Sequence, residues 1–139
     1  MPNKVSEIGD GILESKYHSE NAIMLPLDML EPFAKVQSED FYSSVINSME
    51  KEGLLYPLII AQVDEDEWWE DCKEQGEACL QPRVFGSQVR YRVQCGNNRY
   101  WALINHFTNI DAVSCLVYSK EEAMEICKML RRDKNWKRT

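Results

Sequence analysis

An uninterrupted apolar stretch in the middle of the chain limits the fold more than any other feature. It runs from Leu54 to Val63 (LLYPLIIAQV) and begins directly after Gly53. A run with so little polar alternation predicts a buried strand, of about six residues after Pro57. No apolar run approaches the roughly 20 residues of a membrane-spanning helix, so insertion in a membrane is not expected.

The segments around this strand predict a mixed α/β domain. Ser38 is a typical helix N-cap, Gly53 is a typical helix end, and the apolar residues between them recur at helical spacing. Further strands are predicted at Ala22–Leu27, Val89–Cys95 and Asp111–Tyr118, and further helices from Asn97 or Asn98 to about Phe107 and after Ser119. We therefore predict an α/β (α+β) fold, a small mixed β-sheet flanked by about three helices.

The length of 139 residues fits a single domain. Residues 1–20 are polar and weakly patterned, which predicts a mobile N-terminal arm. The domain is expected to span residues 21–132, with an insert at 64–88 and a basic C-terminal tail at 133–139.

The charge is distributed unevenly along the chain. Asp64–Glu77 (DEDEWWEDCKEQGE) holds eight acids and one base, and its net charge of −7 equals that of the whole chain. Lys128–Thr139 (KMLRRDKNWKRT) holds six bases and one acid. The overall charge therefore does not exclude contact between the basic end and nucleic acid.

The cysteines indicate reduced thiols. There are five, and no two of them have C-x-x-C spacing, so neither a disulfide framework nor a zinc site is indicated. Cys115 and Cys127 lie in apolar stretches and are expected to be buried. Reduced thiols, together with a start that lacks the apolar core of a signal peptide, predict a cytoplasmic protein.

The candidate functional site is the strand–glycine–helix turn at Cys95–Ala102 (CGNNRYWA). Glycine permits a sharp turn, and the first N–H groups of a helix lack intrahelical acceptors at the positive end of the dipole. Arg99 in the first helical turn could add a forked contact to a phosphate. The alternative is a purely structural turn, with Arg99 solvated or paired to an acid.

Two stretches of the chain resemble the ParB/sulfiredoxin superfamily. Lys51–Ile60 (KEGLLYPLII) is similar to its E-x-G-L-x-x-P-I-x-V stretch, and Tyr91–Leu103 (YRVQCGNNRYWAL) to its Y-x-x-x-x-G-x-x-R-x-x-A strand–turn–helix. The resemblance covers roughly residues 22–132. It implies a stand-alone ParB N-terminal-like domain without the helix-turn-helix DNA domain.

The resemblance also implies a ligand. In this superfamily the G-x-x-R turn binds nucleotide phosphates, and in ParB proteins it helps to hold CTP with magnesium. By carry-over, Gly96, Asn97 and Asn98 would supply backbone donors and Arg99 a guanidinium. A second cation would come from Arg131 or Arg132. The implied cofactor is a nucleoside di- or triphosphate with Mg²⁺, and no metal site within the protein itself is indicated.

Departures from the superfamily pattern limit the activities that the resemblance implies. Asn97 occupies the place of the catalytic sulfiredoxin cysteine, and an amide cannot act as a thiolate nucleophile. Asn97 and Asn98 replace the acid and the first arginine of the ParB turn, which reduces the charge available to a triphosphate. Ala34 stands about where the amino-acid kinases of the superfamily have a glutamate.

The insert and the tail each contain tryptophan. Trp68 and Trp69 lie in the acidic run, and with Cys72 they can form one face of a short helix. They are candidates for binding a protein partner through residues 64–77, or else they fold back onto the sheet. Trp136 and the bases of the tail could contact nucleic acid, although a solvated terminus is the common alternative.

The leading hypothesis is a ParB-like nucleotide- or phosphate-binding module that acts through a protein or nucleic-acid partner and is phage- or plasmid-borne. The first alternative is an enzyme of the same superfamily, namely a small-molecule kinase, an NTPase or a nuclease. It would need an acid, for which Asp28, Glu31 and Glu39 are the candidates. The second alternative is a non-catalytic interaction protein that works through the insert.

Overall fold

The computed structural model describes residues 11–36, 38–76, 79–80 and 89–132. These residues form six strands and four α-helices, of which three strands come first and helices and strands then alternate. The strands are β1 (Gly11–Leu13), β2 (Ile23–Pro26), β3 (Leu30–Pro32), β4 (Leu58–Val63), β5 (Arg90–Cys95) and β6 (Ile110–Ser119). The helices are α1 (Glu39–Glu52), α2 (Glu65–Gln75), α3 (Asn97–Asn105) and α4 (Lys120–Arg132). Short 3-10 turns at Ser19–Asn21 and Leu27–Met29 flank β2.

The strands form one mixed sheet in the order β1-β6-β4-β5-β3, with β2 also paired to β6. β1 and β4 run parallel to β6, and β2 runs antiparallel to it. β5 is antiparallel to β4, and β3 is parallel to β5. The predicted fold class is confirmed, with four α-helices in the described part of the chain where about three were expected.

The apolar stretch becomes a strand with helices over both of its faces. Leu58 and Ile60 of β4 join the larger apolar cluster, which includes residues of α1 and α3. Ile59, Ala61 and Val63 join a second cluster, which includes Trp68 of α2 together with residues of α4. Alternate residues of a strand point to opposite faces, so this strand lies in the middle layer of three.

Helix α1 begins and ends where its sequence predicts. The Ser38 hydroxyl accepts a hydrogen bond from the Phe41 amide at 3.1 Å, which satisfies a donor that the helix cannot. Gly53 ends the helix with φ 73°, and its N–H donates to the Met49 carbonyl. Ser119 likewise accepts from the Glu122 amide at 3.3 Å at the start of α4.

The described part of the acidic insert folds back onto the sheet. Asp64 and Glu67 form a reciprocal capping box that starts α2. Trp68 is fully buried, and its indole N–H donates to the Leu80 carbonyl at 2.8 Å. Trp69 is half-buried and donates to Glu65 at 3.4 Å. Of the two tryptophans proposed to meet a partner, Trp68 is therefore enclosed within the protein.

A buried ion-pair network holds α2 against β5 and α4. Arg92 of β5 is fully buried and donates to the Asp71 carboxylate at 2.8 Å. Lys120 of α4 approaches the same carboxylate at 3.1 Å. The Arg92 guanidinium also lies 4.0 Å from the centre of the Phe33 ring. One carboxylate of the insert thus compensates two cations of the sheet and helix beneath it.

Two sequence expectations are wrong in the described residues. Residues 11–20 were expected within a mobile arm, but β1 pairs with β6 and Leu13 is fully buried. Reduced thiols were expected throughout, but Cys72 and Cys79 form a disulfide with their Cα atoms 5.2 Å apart. Residues 1–10 and the tail at 133–139 lie outside the described residues. Within the described ranges, no helix has both the length and the apolar character to cross a membrane.

Candidate anion-binding site

The turn between β5 and α3 is built on Gly96. This residue is the N-cap of α3, at φ 107° and ψ 24°, and its carbonyl accepts the first intrahelical bond, from the Tyr100 amide at 2.9 Å. No side chain caps this helix end, and the helix begins at Asn97, one of the two starts that the sequence predicts. A positive φ of this size favours glycine over any residue with a Cβ.

Arg99 lies beneath the turn. Its side chain folds back across Gly96, where an added Cβ would lie 2.7 Å from the Arg99 Nη2 atom. Nη1 donates to the Tyr56 carbonyl. The whole residue is only 2% exposed, so the guanidinium supports the turn from the inside.

The charge of Arg99 has no carboxylate to balance it in the part of the chain that the structure describes. None of the ion pairs there involves Arg99, and its Nε finds no hydrogen-bond acceptor. Desolvation by burial lowers its pKa. The nearby Cys115 thiol offers no negative charge at neutral pH, because burial raises its pKa to about 12. A buried cation therefore lies at the positive end of a helix.

Asn97 has a structural side chain. Its carbonyl oxygen accepts from the Phe33 and Ala34 amides at 2.9 and 3.2 Å, and its amide group donates to the Val93 carbonyl at 2.9 Å. These bonds join the first turn of α3 to the residues after β3. With the side chain engaged in these bonds, the backbone N–H of Asn97 is the candidate ligand donor of this residue.

The other predicted cations lie at the end of α4. Arg131 and Arg132 fall within that helix, but their side chains are outside the described part of the structure. Arg131 follows Cys127 by four residues, or about one helical turn, and the Cys127 thiol is close enough to Arg99 to influence its pKa. Cys127 itself packs in the cluster on the face of the sheet opposite to the one that α3 covers. Trp136 is outside the described residues.

The candidate acids do not gather at the turn. Glu31 is 5% exposed in β3 and lies 3.6 Å from Arg90, so it is engaged in a buried ion pair. Asp28 is exposed in the 3-10 turn at Leu27–Met29, and Glu39 is exposed in the first turn of α1. In the described ranges, no three His, Cys, Asp or Glu side chains come together in a way that could hold a metal ion.

Sequence reasoning missed two parts of this site. The first is the Tyr56 carbonyl, a backbone atom 43 residues away from Arg99 in the chain. The second is the backbone of Phe33–Ala34. Its two N–H groups donate to the Asn97 side chain, and its Ala34 carbonyl accepts a 2.9 Å hydrogen bond from the Trp101 indole. Neither leaves a local pattern, because both contacts depend on how β3, β4 and β5 are arranged in the sheet.

A solved structure similar to this chain is that of the C-terminally truncated chromosome-partitioning protein ParB from Caulobacter crescentus, complexed with CTP-gamma-S. The TM-score is 0.49 at 14% sequence identity, and the match covers 81% of this chain and 54% of that chain. This chain thus spans about half the length of that ParB chain. The sequence matches no protein-family profile and no curated protein. A similarity this distant carries neither ligand nor partner from one chain to the other.

Proposed function

We propose that this chain is a phosphate- or nucleotide-binding module whose site is the first turn of α3. The observation that carries the proposal is the buried Arg99 guanidinium beneath Gly96, with no carboxylate partner among the described residues. Burial of a charge is costly unless an opposite charge compensates it. Here a second positive feature, the helix N-terminus, lies directly beside the cation.

A bound anion would compensate both the buried Arg99 charge and the positive end of the α3 dipole. Phosphate oxygens would accept hydrogen bonds from the backbone N–H groups of the first turn, in the manner usual at helix N-termini. The Arg99 charge would act on the anion from behind Gly96, across a region of low dielectric where Coulomb interactions are strong. Since Gly96 has no side chain, the backbone itself forms the surface that the phosphate meets.

The remaining parts of the proposal extend this site. Arg131 or Arg132 would supply a second cation at the end of α4, as a nucleoside di- or triphosphate with Mg²⁺ requires. The module would act through a protein or nucleic-acid partner, with the acidic face of α2 and the basic tail as the surfaces offered. The contrast of charge between these two surfaces supports such a role.

The test is a titration with inorganic phosphate, CTP, ATP and ADP, with and without Mg²⁺, followed by melting temperature. A ligand that binds the folded state raises the melting temperature, and the stabilisation grows with the logarithm of the free ligand concentration above Kd. We expect phosphate and at least one nucleotide to stabilise the protein. Release of phosphate from the nucleotide would instead favour an enzyme.

The decisive variant is Asn98→Asp, which adds a carboxylate to the first turn of α3 without changing its size. Without ligand it should raise the melting temperature by about 1–3 °C, because the new charge compensates the dipole and Arg99. With ligand it should weaken binding at least about tenfold, since the anion then meets a like charge.

Asn109→Asp is the matched control. Asn109 is exposed in the turn before β6, away from any helix N-terminus. The same change there should alter neither the melting temperature without ligand nor the affinity for the ligand. Equal ligand responses of the two variants, or no stabilisation of the wild type by any of the anions, would contradict the proposal.

A further inference from the structure

One short segment connects the acidic insert to the candidate anion site. Phe33–Ala34, called here the bridging segment, follows β3 directly. On one side, the backbone N–H groups of Phe33 and Ala34 both donate to the side-chain oxygen of Asn97, at 2.9 and 3.2 Å. Trp101 of α3 donates to the Ala34 carbonyl at 2.9 Å. The backbone of this segment thus positions the first turn of α3.

The insert occupies the other side of the bridging segment. The Leu80 amide donates to the Phe33 carbonyl at 2.8 Å, and Cys79 forms an antiparallel bridge with Ala34. The Leu80 carbonyl in turn accepts from the buried Trp68 indole at 2.8 Å. The Phe33 ring packs edge-on against Trp68, with ring centres 5.7 Å apart.

A disulfide closes this arrangement. Cys72 of α2 is bonded to Cys79, so the chain that pairs with the bridging segment is covalently attached to the insert helix. Both cysteines are half-buried and pack against the second apolar cluster. The cross-link limits how far Cys79 can move away from Cys72 of α2. Without it, Cys79 and Leu80 rely on a few hydrogen bonds to remain in place.

We propose that the Cys72–Cys79 disulfide controls the affinity of the α3 turn for anions, through the insert and the bridging segment. The inference rests on the proposed function, because it names a regulator of that same site. The oxidised form holds Cys79 and Leu80 on Phe33–Ala34, and this preorganises the turn through Asn97. Reduction loosens that support, and the turn binds anions more weakly.

The chemical step is thiol–disulfide exchange with a dithiol. One thiolate of the reductant attacks a sulfur of the Cys72–Cys79 bond, and its second thiol displaces the mixed disulfide. The bond between Cys72 and Cys79 breaks, both sulfurs leave as thiols, and the reductant becomes a disulfide. Two electrons and two protons pass from the dithiol to the protein.

The first experiment compares inorganic phosphate binding by the full chain in its oxidised form and in dithiothreitol. We expect reduction to weaken binding about fivefold, at the lower end of the coupling usual between linked sites. By the same linkage, saturating phosphate should shift the thiol–disulfide equilibrium toward the oxidised form by the same factor. Equal affinity in the two redox states would overturn the proposal.

Variants separate the disulfide from other effects of the reductant. Cys72→Ser combined with Cys79→Ser should have the reduced affinity in both conditions. Trp68→Phe, which keeps an aromatic ring but loses the donor to Leu80, should also weaken binding. Trp69→Phe changes the neighbouring residue in the same way and is the control, with wild-type affinity expected. If the serine variant still responds to dithiothreitol, the disulfide is not the regulator.

Amide exchange distinguishes a failure of this inference from a failure of the proposed function. Reduction should accelerate exchange of the Phe33 and Ala34 amides whether or not any anion binds. If no anion binds in either redox state and these amides exchange faster on reduction, the coupling stands and the assigned ligand is wrong. If their exchange is unchanged on reduction, the coupling itself is wrong.

Discussion

The buried position of the Arg99 side chain requires a glycine at position 96. The guanidinium fills the space that a side chain at position 96 would occupy, and the glycine also adopts a backbone conformation that other residues rarely accept. A charged residue at the start of a helix is ordinarily solvated. Its burial here was therefore not predictable from its type.

Replacement of Gly96 by alanine tests this requirement. The new Cβ would lie 2.7 Å from both Arg99 Nη2 and Leu58 Cδ2, and φ would remain at +107°. Backbone strain and overpacking together should lower the free energy of unfolding by about 2–4 kcal/mol. Urea denaturation measures the loss.

Gly76→Ala is the control for Gly96→Ala. Gly76 ends α2 with φ +64°, but an added Cβ there would meet nothing within 4 Å. Strain alone should cost about 1 kcal/mol. If the two variants lose equal stability, the close approach of Arg99 to position 96 is not energetically significant.

Among the elements, α2 is the one whose position depends most on charge. Its helical pattern is weak in apolar residues, and it is held by the buried Trp68 and by Asp71, which pairs with Arg92 and Lys120. An ion pair of this kind contributes little net stability, but removal of one partner leaves an uncompensated buried charge. Asp71 is thus the acid of the insert that compensates the buried Arg92, while Asp64 and Glu67 cap the helix.

Asp71→Ala should accordingly destabilise the protein by about 3 kcal/mol, because the Arg92 guanidinium stays buried without its carboxylate. Glu70→Ala, at the exposed neighbouring position of the same helix, should change stability by less than about 0.5 kcal/mol. Chemical denaturation of both variants measures the difference. Equal effects would show that Arg92 finds compensation elsewhere.

The sequence predicted elements with their own pattern and missed those defined by distant contacts. β4 follows from a continuous apolar run, and α1 follows from apolar residues at helical spacing between an N-cap serine and a terminal glycine. Both were therefore predicted almost to the residue. β1 and β3 have only three residues each, too few for periodicity, and they exist because β6 and β5 offer them a pairing edge.

The candidate site was predictable in part for the same reason. The turn at Gly96 is local, so its strand, glycine and helix could be read from consecutive residues. The partners of its side chains are not local. Asn97 bonds to Phe33, 64 residues away, and Arg99 bonds to Tyr56. Such contacts follow from strand order, which no single stretch of sequence specifies.

For the whole molecule, the buried Cys115 thiol makes the free energy of unfolding depend on pH in the alkaline range. Its pKa is raised by burial from 9.0 to about 12, so the folded state keeps a proton that the unfolded state releases. The contribution of this thiol to the free energy of unfolding is fully present below pH 9 and is lost as the pH rises toward 12. Between pH 8 and 10 the loss from this group should be about 1.4 kcal/mol.

Denaturation by urea at the two pH values measures this dependence. Cys115→Ala should flatten the alkaline part of the stability profile by that amount, although the variant is less stable overall. Val113→Ala, in the same strand and equally buried, removes apolar volume without a titrating group and should keep the wild-type slope. A Cys115→Ala profile parallel to the wild type would contradict the assignment.

The central position of β6 has a consequence for biosynthesis. This strand, residues 110–119, is the one to which β1, β2 and β4 all pair, yet it leaves the ribosome after each of them. Until then the three earlier strands have no common neighbour, and Leu13 and Leu25 have no place to be buried. The nascent chain therefore keeps β1 and β2 without their pairing strand until β6 has been made, whereas β3, β4 and β5 can already pair with one another.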